Sequence, residues 1–222
     1  MIRVLAESLM SYEVLPVKTS DTGNDVLNMM SHYRLSHLPI VNNTVLLGIV
    51  SEDDIMENNV DEAVGSYGLS ISKAYCFADE HIFEIMRRLY EYKLSMIPVI
   101  NRKEEYIGII DQRDFLNFFT DSYSLTEPGS IIVVETTRLN YSLSEIARIA
   151  ESEGAVILAT FLSSDQENNM LYLTLKFNKI DVNRIVASLE RYNYSVVGNF
   201  SKQYHDEGLG FRYEHLMNYL NV

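Results

Sequence analysis

Hydrophobic and polar positions along the first half of the chain follow a helical period, then an extended one, and then do so again. Ile82, Ile85, Met86 and Leu89 stand at i, i+3, i+4 and i+7 and predict one apolar stripe of an amphipathic helix. In the earlier copy Val26, Met30 and Tyr33 form a looser stripe, with Asp21-Thr22 ahead of it as an N-cap. A short apolar run containing proline follows each, Leu38-Pro39-Ile40-Val41 and Ile97-Pro98-Val99-Ile100. Proline in such a run predicts a sheet edge or the start of a strand. A polar turn and an apolar strand come next, Val45 to Val50 and Tyr106 to Ile110. Each strand feeds a second helix through Ser51-Glu52-Asp53-Asp54 or Asp111-Gln112-Arg113-Asp114.

These segments are an internal repeat of about sixty residues. A shift of 59 places lays Tyr33, Leu35, Ser36, Pro39 and Asn42 on Tyr92, Leu94, Ser95, Pro98 and Asn101. After one inserted residue, Gly48, Ile49 and Asp54 fall on Gly108, Ile109 and Asp114. One copy alone has too little apolar surface to bury, so the two are expected to pack together.

Pro128-Gly129 breaks the pattern and opens a different one. A strand over Ser130 to Glu135 precedes a helix with Leu143, Ile146, Ala147 and Ala150 on one face. A strand over Ala155 to Leu162 and a polar hairpin through Asp165 to Asn169 lead to Leu171, Leu173, Leu175 and Phe177, which alternate with polar or aromatic neighbours. A second helix carries Val182, Ile185, Val186 and Leu189, and Tyr194 to Phe200 reads as a last strand. The order βαββαβ is ferredoxin-like. In the tail, Phe211, Tyr213, Leu216, Met217 and Leu220 predict a short helix that packs on this sheet or on a neighbouring one. The expected division is residues 1–66 and 67–127 for the repeats, 128–200 for the ferredoxin-like unit and 201–222 for the tail.

Composition narrows the partners. The 222 residues include 18 Lys+Arg and 31 Asp+Glu, a formal charge of −13. Residues 1–127 hold 20 acidic against 10 basic side chains, and residues 128–222 hold 11 against 8. Neither half offers the basic footprint that a nucleic acid or an anionic membrane requires. A small anion remains possible, because one or two local cations or a helix N-terminus suffice for it. Cys76 is the single cysteine, so no disulfide framework forms within the chain. The N-terminus lacks the apolar core of a signal peptide and no apolar run is long enough to span a bilayer, so a soluble cytoplasmic protein is expected. The five histidines form no metal spacing, and no nucleophile elbow, phosphate loop or paired-glycine fingerprint appears, so neither a metal site nor an enzyme is expected.

The run Leu38-Pro39-Ile40-Val41 with Gly48-Ile49-Val50-Ser51-Glu52-Asp53-Asp54, repeated as Ile97-Pro98-Val99-Ile100 with Gly108-Ile109-Ile110-Asp111-Gln112-Arg113-Asp114, resembles the CBS-domain pair, or Bateman module, over roughly residues 1–124. The resemblance implies a mixed α/β fold that binds adenine nucleotides or adenosyl ligands (AMP, ADP, ATP or S-adenosylmethionine) in clefts between the repeats, and a homodimer. On it, Ser51 and the helix amides meet a phosphate and Asp54 accepts from the ribose hydroxyls. The same spacing also reads as a capping box, and spacing alone does not separate the two. The resemblance further implies ligand contacts by Lys18, Thr19, His37, Pro39 and Asp114. Copy two departs from it, because Asp111 occupies the Ser/Thr position and would repel a phosphate. The two sites are therefore expected to be unequal, with the Ser51/Asp54 site the competent one.

Residues 130–200 resemble an ACT domain in order and size, although the loop Arg138-Leu139-Asn140-Tyr141-Ser142 lacks the glycine that amino-acid-binding members carry there. The whole chain is similar to acetoin-utilisation-type regulatory proteins. That similarity implies a non-catalytic sensor whose ACT-like domain relays ligand binding to a regulated protein. The competing expectation is a ligand-free interaction scaffold.

Overall fold

A computed structural model describes residues 4–70, 74–122 and 124–201. The chain divides into two compact units, residues 1–118 and 119–222. The helix expected in the tail lies outside the described residues. Among the described residues no helix is long and apolar enough to cross a membrane.

In the first unit each repeat builds a helix, a β-hairpin and a second helix. In the first copy these are α1 (Gly23–Tyr33), β1 (His37–Asn42), β2 (Val45–Ser51) and α2 (Glu52–Met56). In the second they are β3 (Cys76–Phe77), α3 (Ile82–Glu91), β4 (Met96–Ile100), β5 (Tyr106–Asp111) and α4 (Gln112–Ser122). Thr22 starts α1 with a reciprocal box, its hydroxyl accepting from Asp25 N while Asp25 accepts from Thr22 N. Neither α1 nor α3 ends on glycine; instead Arg34 and Lys93 adopt φ of 58° and 53° at the same repeat position.

The prolines stand inside their strands and not at the expected edge or start, Pro39 third in β1 and Pro98 third in β4, the middle strand of β3-β4-β5. Pro39 lies opposite Ile49 and Pro98 opposite Ile109 in antiparallel hairpins. Each hairpin shifts register one residue later, between Ile40 and Val41 and between Val99 and Ile100. A parallel neighbour covers the other edge, Val17 beside Ile40 and Cys76 beside Val99, again at one repeat position. The core lies between helices and hairpins and contains Val26, Leu38, Ile49, Ile55, Ile85, Leu94, Ile97 and Ile110. Met86, expected on the buried stripe of α3, is 38% exposed at its margin.

The copies are laced together by segments outside the hairpins. The leading segment lies on the second copy: Ile82 N donates to Val4 O, Ala6 N to Glu80 O and Glu7 N to Ala78 O, and Ser11 pairs with Ile109. The connecting segment lies on the first copy, where Val64 N donates to Asp21 O and Gly65 N to Thr19 O.

The second unit comprises β6 (Ser130–Thr137), α5 (Leu143–Ser152), β7 (Ile157–Asp165), β8 (Met170–Phe177), α6 (Asn183–Arg191) and β9 (Ser195–Phe200). Its sheet runs β7-β8-β6-β9 with every pair antiparallel, the ferredoxin-like order. Alternation sends Ile132, Val134, Leu173, Leu175 and Phe177 to one face, where Ile146, Ile149, Ile185 and Leu189 of the helices cover them. Just before β6 the backbone of Gly129 passes so close to β8 that a Cβ there would lie 1.9 Å from Phe177 O.

Candidate ligand-binding site

Each repeat turns from strand to helix through a box of reciprocal hydrogen bonds. In the first, Ser51 N donates to Asp54 Oδ2 at 2.9 Å and Asp54 N to Ser51 Oγ at 3.0 Å. In the second, Asp111 N donates to Asp114 Oδ2 at 3.0 Å and Asp114 N to Asp111 Oδ1 at 2.9 Å. Aspartate thus replaces serine as the cap without changing the backbone path. The capping geometry that spacing left open is present in both copies.

The two boxes differ in what surrounds them. Asp54 is 3% exposed, and its second oxygen accepts from Ser70 N of the connecting segment at 3.1 Å. Burial raises the proton affinity of this carboxyl, but the hydrogen bonds from Ser51 and Ser70 outweigh it and hold the pKa below the ordinary value. Asp114 goes the other way. Burial raises its pKa, and the Asp111 and Glu13 carboxylates add to the rise against the bond from Asp111 N and the charge of Arg113.

Asp114 lines a cavity of about 560 Å³ together with Ser11, Glu13, Tyr33, Asp111 and Arg113. Arg113 donates from Nε to Asp111 Oδ2 at 2.9 Å and from Nη2 to the carbonyl of Tyr33 at 3.3 Å, joining the start of α4 to the end of α1. Its guanidinium therefore offsets the aspartate at the Ser/Thr position.

Raised and lowered acid pKa values carry opposite signs in stability. An acid whose folded pKa is raised destabilises the folded state as pH climbs through its unfolded and then its folded value, and contributes nothing below both. Asp114→Asn keeps an acceptor for Asp111 N and removes the charge. It is expected to raise the unfolding midpoint by a few degrees at pH 7 and to leave it unchanged at pH 3. Thermal unfolding at the two pH values checks this.

The remaining site residues expected from sequence gather around the first box. His37 lies directly opposite Ser51 across the hairpin. His37 Nδ1 accepts from Ser95 N at 3.3 Å and lies 3.1 Å from Ser36 Oγ and 3.2 Å from Ser95 Oγ. Accepting from a backbone N–H assigns the proton of a neutral ring to Nε2. Burial lowers the pKa of His37, opposed by the Asp54 and Asp53 charges. Pro39 O accepts from Val17 N at 2.8 Å, which places Lys18 and Thr19 one and two residues beyond that junction. Lys18 is exposed, its N bonded to Asp21 Oδ2, and Thr19 O accepts from Gly65 N. The structure thus groups His37, Pro39, Ser51 and Asp54 around one hairpin, with Lys18 and Thr19 beside it, and sets Asp114 in a separate cavity.

Ser11 and Glu13, which line that cavity, were not among the expected site residues. The repeat shift carries a signal for Ser11, because it lands on Ser70, the residue that closes the first box.

A model of the CBS domain family matches residues 6–61 and again residues 69–121. A homoserine O-acetyltransferase of Methanococcus vannielii is 25% identical over 122 residues, 52% of this chain and 25% of the relative. The chain spans about a quarter of the length of the first curated relatives it matches. Among solved structures, a CBS domain pair/ACT domain protein of Thermotoga maritima is similar at 17% identity and a TM-score of 0.48, covering 53% of this chain and 97% of that one. CBSX2 in complex with AMP is similar at 18% identity and a TM-score of 0.45, over 51% and 94% of the two chains. The twofold repeat, the shared hairpin register and the paired helix starts accompany the family match, and residues 6–61 and 69–121 are two CBS domains in tandem.

Proposed function

We propose that this protein is a non-catalytic regulatory sensor whose CBS pair binds an adenine nucleotide or another adenosyl compound. CBS domain pairs are regulatory and often bind adenosine ligands. The observation that carries the reading is the cavity at Asp114, with an acid at its wall whose charge the fold disfavours. A carboxylate in that setting gains from two adjacent hydroxyl donors, the pattern a ribose offers. Ser51, Asp54, His37, Pro39, Lys18 and Thr19 form the equivalent candidate site at the first box. There the bond from Ser70 to Asp54 favours a closed cleft, which is the specific support for a ligand-free scaffold role in that half.

The ferredoxin-like unit, read as ACT-like, serves as the relay to a regulated protein, and the chain acts as a cytoplasmic homodimer. A ligand drives such a relay only by the difference between its affinities for two states of the module.

Calorimetric titration of adenosine into the full chain tests the binding. Saturable binding is expected, lost in Asp114→Ala if the second cavity holds the nucleoside and lost in Asp54→Ala if the first does. Absence of heat from the unsubstituted protein, with no thermal stabilisation at millimolar adenosine, overturns the sensor in favour of the scaffold. Hydrogen exchange over residues 130–200 that stays unchanged on saturation would sink the relay.

A further inference from the structure

The adenosyl reading leaves open which charge the ligand bears, and the Asp114 cavity supplies an argument. Three carboxylates face it, those of Glu13, Asp111 and Asp114. The one guanidinium on its wall, Arg113, is already engaged by Asp111 and by the carbonyl of Tyr33. At the start of α4, Gln112 N is taken by Ser95 O and Asp114 N by Asp111 Oδ1. His32 and Asn117 complete the polar lining. A cavity of about 560 Å³ is roughly as wide as the screening length of physiological salt, about 8 Å, so charges on its wall still act on an occupant. A 5′-phosphate entering it would face a net negative wall, with the charge of Arg113 already set against Asp111.

Resting on the adenosyl reading above, we infer that the Asp114 cavity selects an adenosyl compound with a positively charged 5′ substituent and discriminates against 5′-phosphates. The selection comes from Glu13 and Asp111, whereas Asp114 serves the ribose. The repeat-equivalent positions at the first box do not reproduce this arrangement, because Ser51 stands where Asp111 stands and Asp53 where Arg113 stands.

The test is a charge series on one nucleoside, titrated calorimetrically into the full chain. Its members are 5′-deoxy-5′-(dimethylsulfonio)adenosine with a permanent positive charge, the neutral thioether 5′-methylthioadenosine, and AMP. Only the component of binding that Asp114→Ala removes is compared. The sulfonium is expected to bind about tenfold more tightly than the thioether, with AMP weakest. In Glu13→Gln, which alters an exposed side chain and not the core, the gap between sulfonium and AMP should shrink about threefold. That second variant keeps the comparison open if Asp114→Ala does not fold. Equal binding of the three, or AMP the tightest, overturns the charge selection and leaves the adenosyl reading standing. No binding of any of them overturns both.

Discussion

Gly129→Ala is expected to prevent the ferredoxin-like unit from folding normally, with a larger loss of stability than alanine at Gly23, Gly65, Gly68, Gly108, Gly154 or Gly198. The new Cβ would lie 1.9 Å from the carbonyl oxygen of Phe177, inside any tolerable contact. The obstacle is backbone, so no side chain can swing aside. Relief requires moving the start of β6 away from β8, and these strands pair from Ser130 opposite Phe177 onward. Phe177 is fully buried beneath the helices, so a shift there opens the core. A cost of about 3 kcal/mol or more follows, which for a unit of this size is about 10–20 °C in midpoint. Circular dichroism melting checks it. Gly68→Ala is the control, because a Cβ there meets nothing within 4 Å and should change stability by no more than about 0.5 kcal/mol. A melt of Gly129→Ala that coincides with the unsubstituted protein would mean that the approach to Phe177 is not as drawn.

Asp54→Ala should produce the second largest effect, in the CBS pair. It strips the acceptor from Ser51 N and Ser70 N, leaves a buried strand-to-helix turn with unsatisfied donors and removes the N3 half of the capping box of α2, Ser51 remaining as its cap. A loss of about 3 kcal/mol, or about 10 °C, is expected at pH 7. Because the folded pKa of Asp54 is lowered, its stabilisation is present above the ordinary carboxylate value and is lost as pH falls through the folded value. The difference between the two proteins should therefore narrow as pH falls below the ordinary carboxylate range. A gap that persists undiminished at pH 2 would show that the loss is one of packing and not of charge.

Much of this architecture was legible before any coordinates, for a physical reason. Helix stripes, alternating strands and breaker residues are local signals, and the duplication printed each twice. The main helices and hairpin strands of both units follow from them, whereas the placing of His37 opposite Ser51 comes from the hairpin register. What was not legible depends on chain crossing at long range. Ser11 reaches the second copy by pairing with Ile109, nearly a hundred positions on, and Glu13 comes with it. Ser70 reaches back to Asp54 in the same way. Such segments have no period, and their partners are set by the packing of the two copies. The sequence pointed to Ser51 and Asp54 as the better site from the repulsion between Asp111 and phosphate. The offset of Asp111 by Arg113 two residues on was one of two readings the sequence allowed, whereas the commitment of Asp54 to Ser70 is a property of the assembled unit.

The crossed lacing also bears on how such a protein can change over generations. The strip from Val4 to Ser11 belongs to the first copy by order and to the second by hydrogen bonding, while Ser70, second by order, bonds to Asp54 of the first. A deletion that removed either copy would leave the survivor with a bare sheet margin and a stranded ribbon. Loss of one half is therefore barred, whereas drift of its side chains is not. A first box bonded by Ser70 and a second cavity lined by acids are what a lineage obtains when a duplicate can be neither discarded nor kept identical.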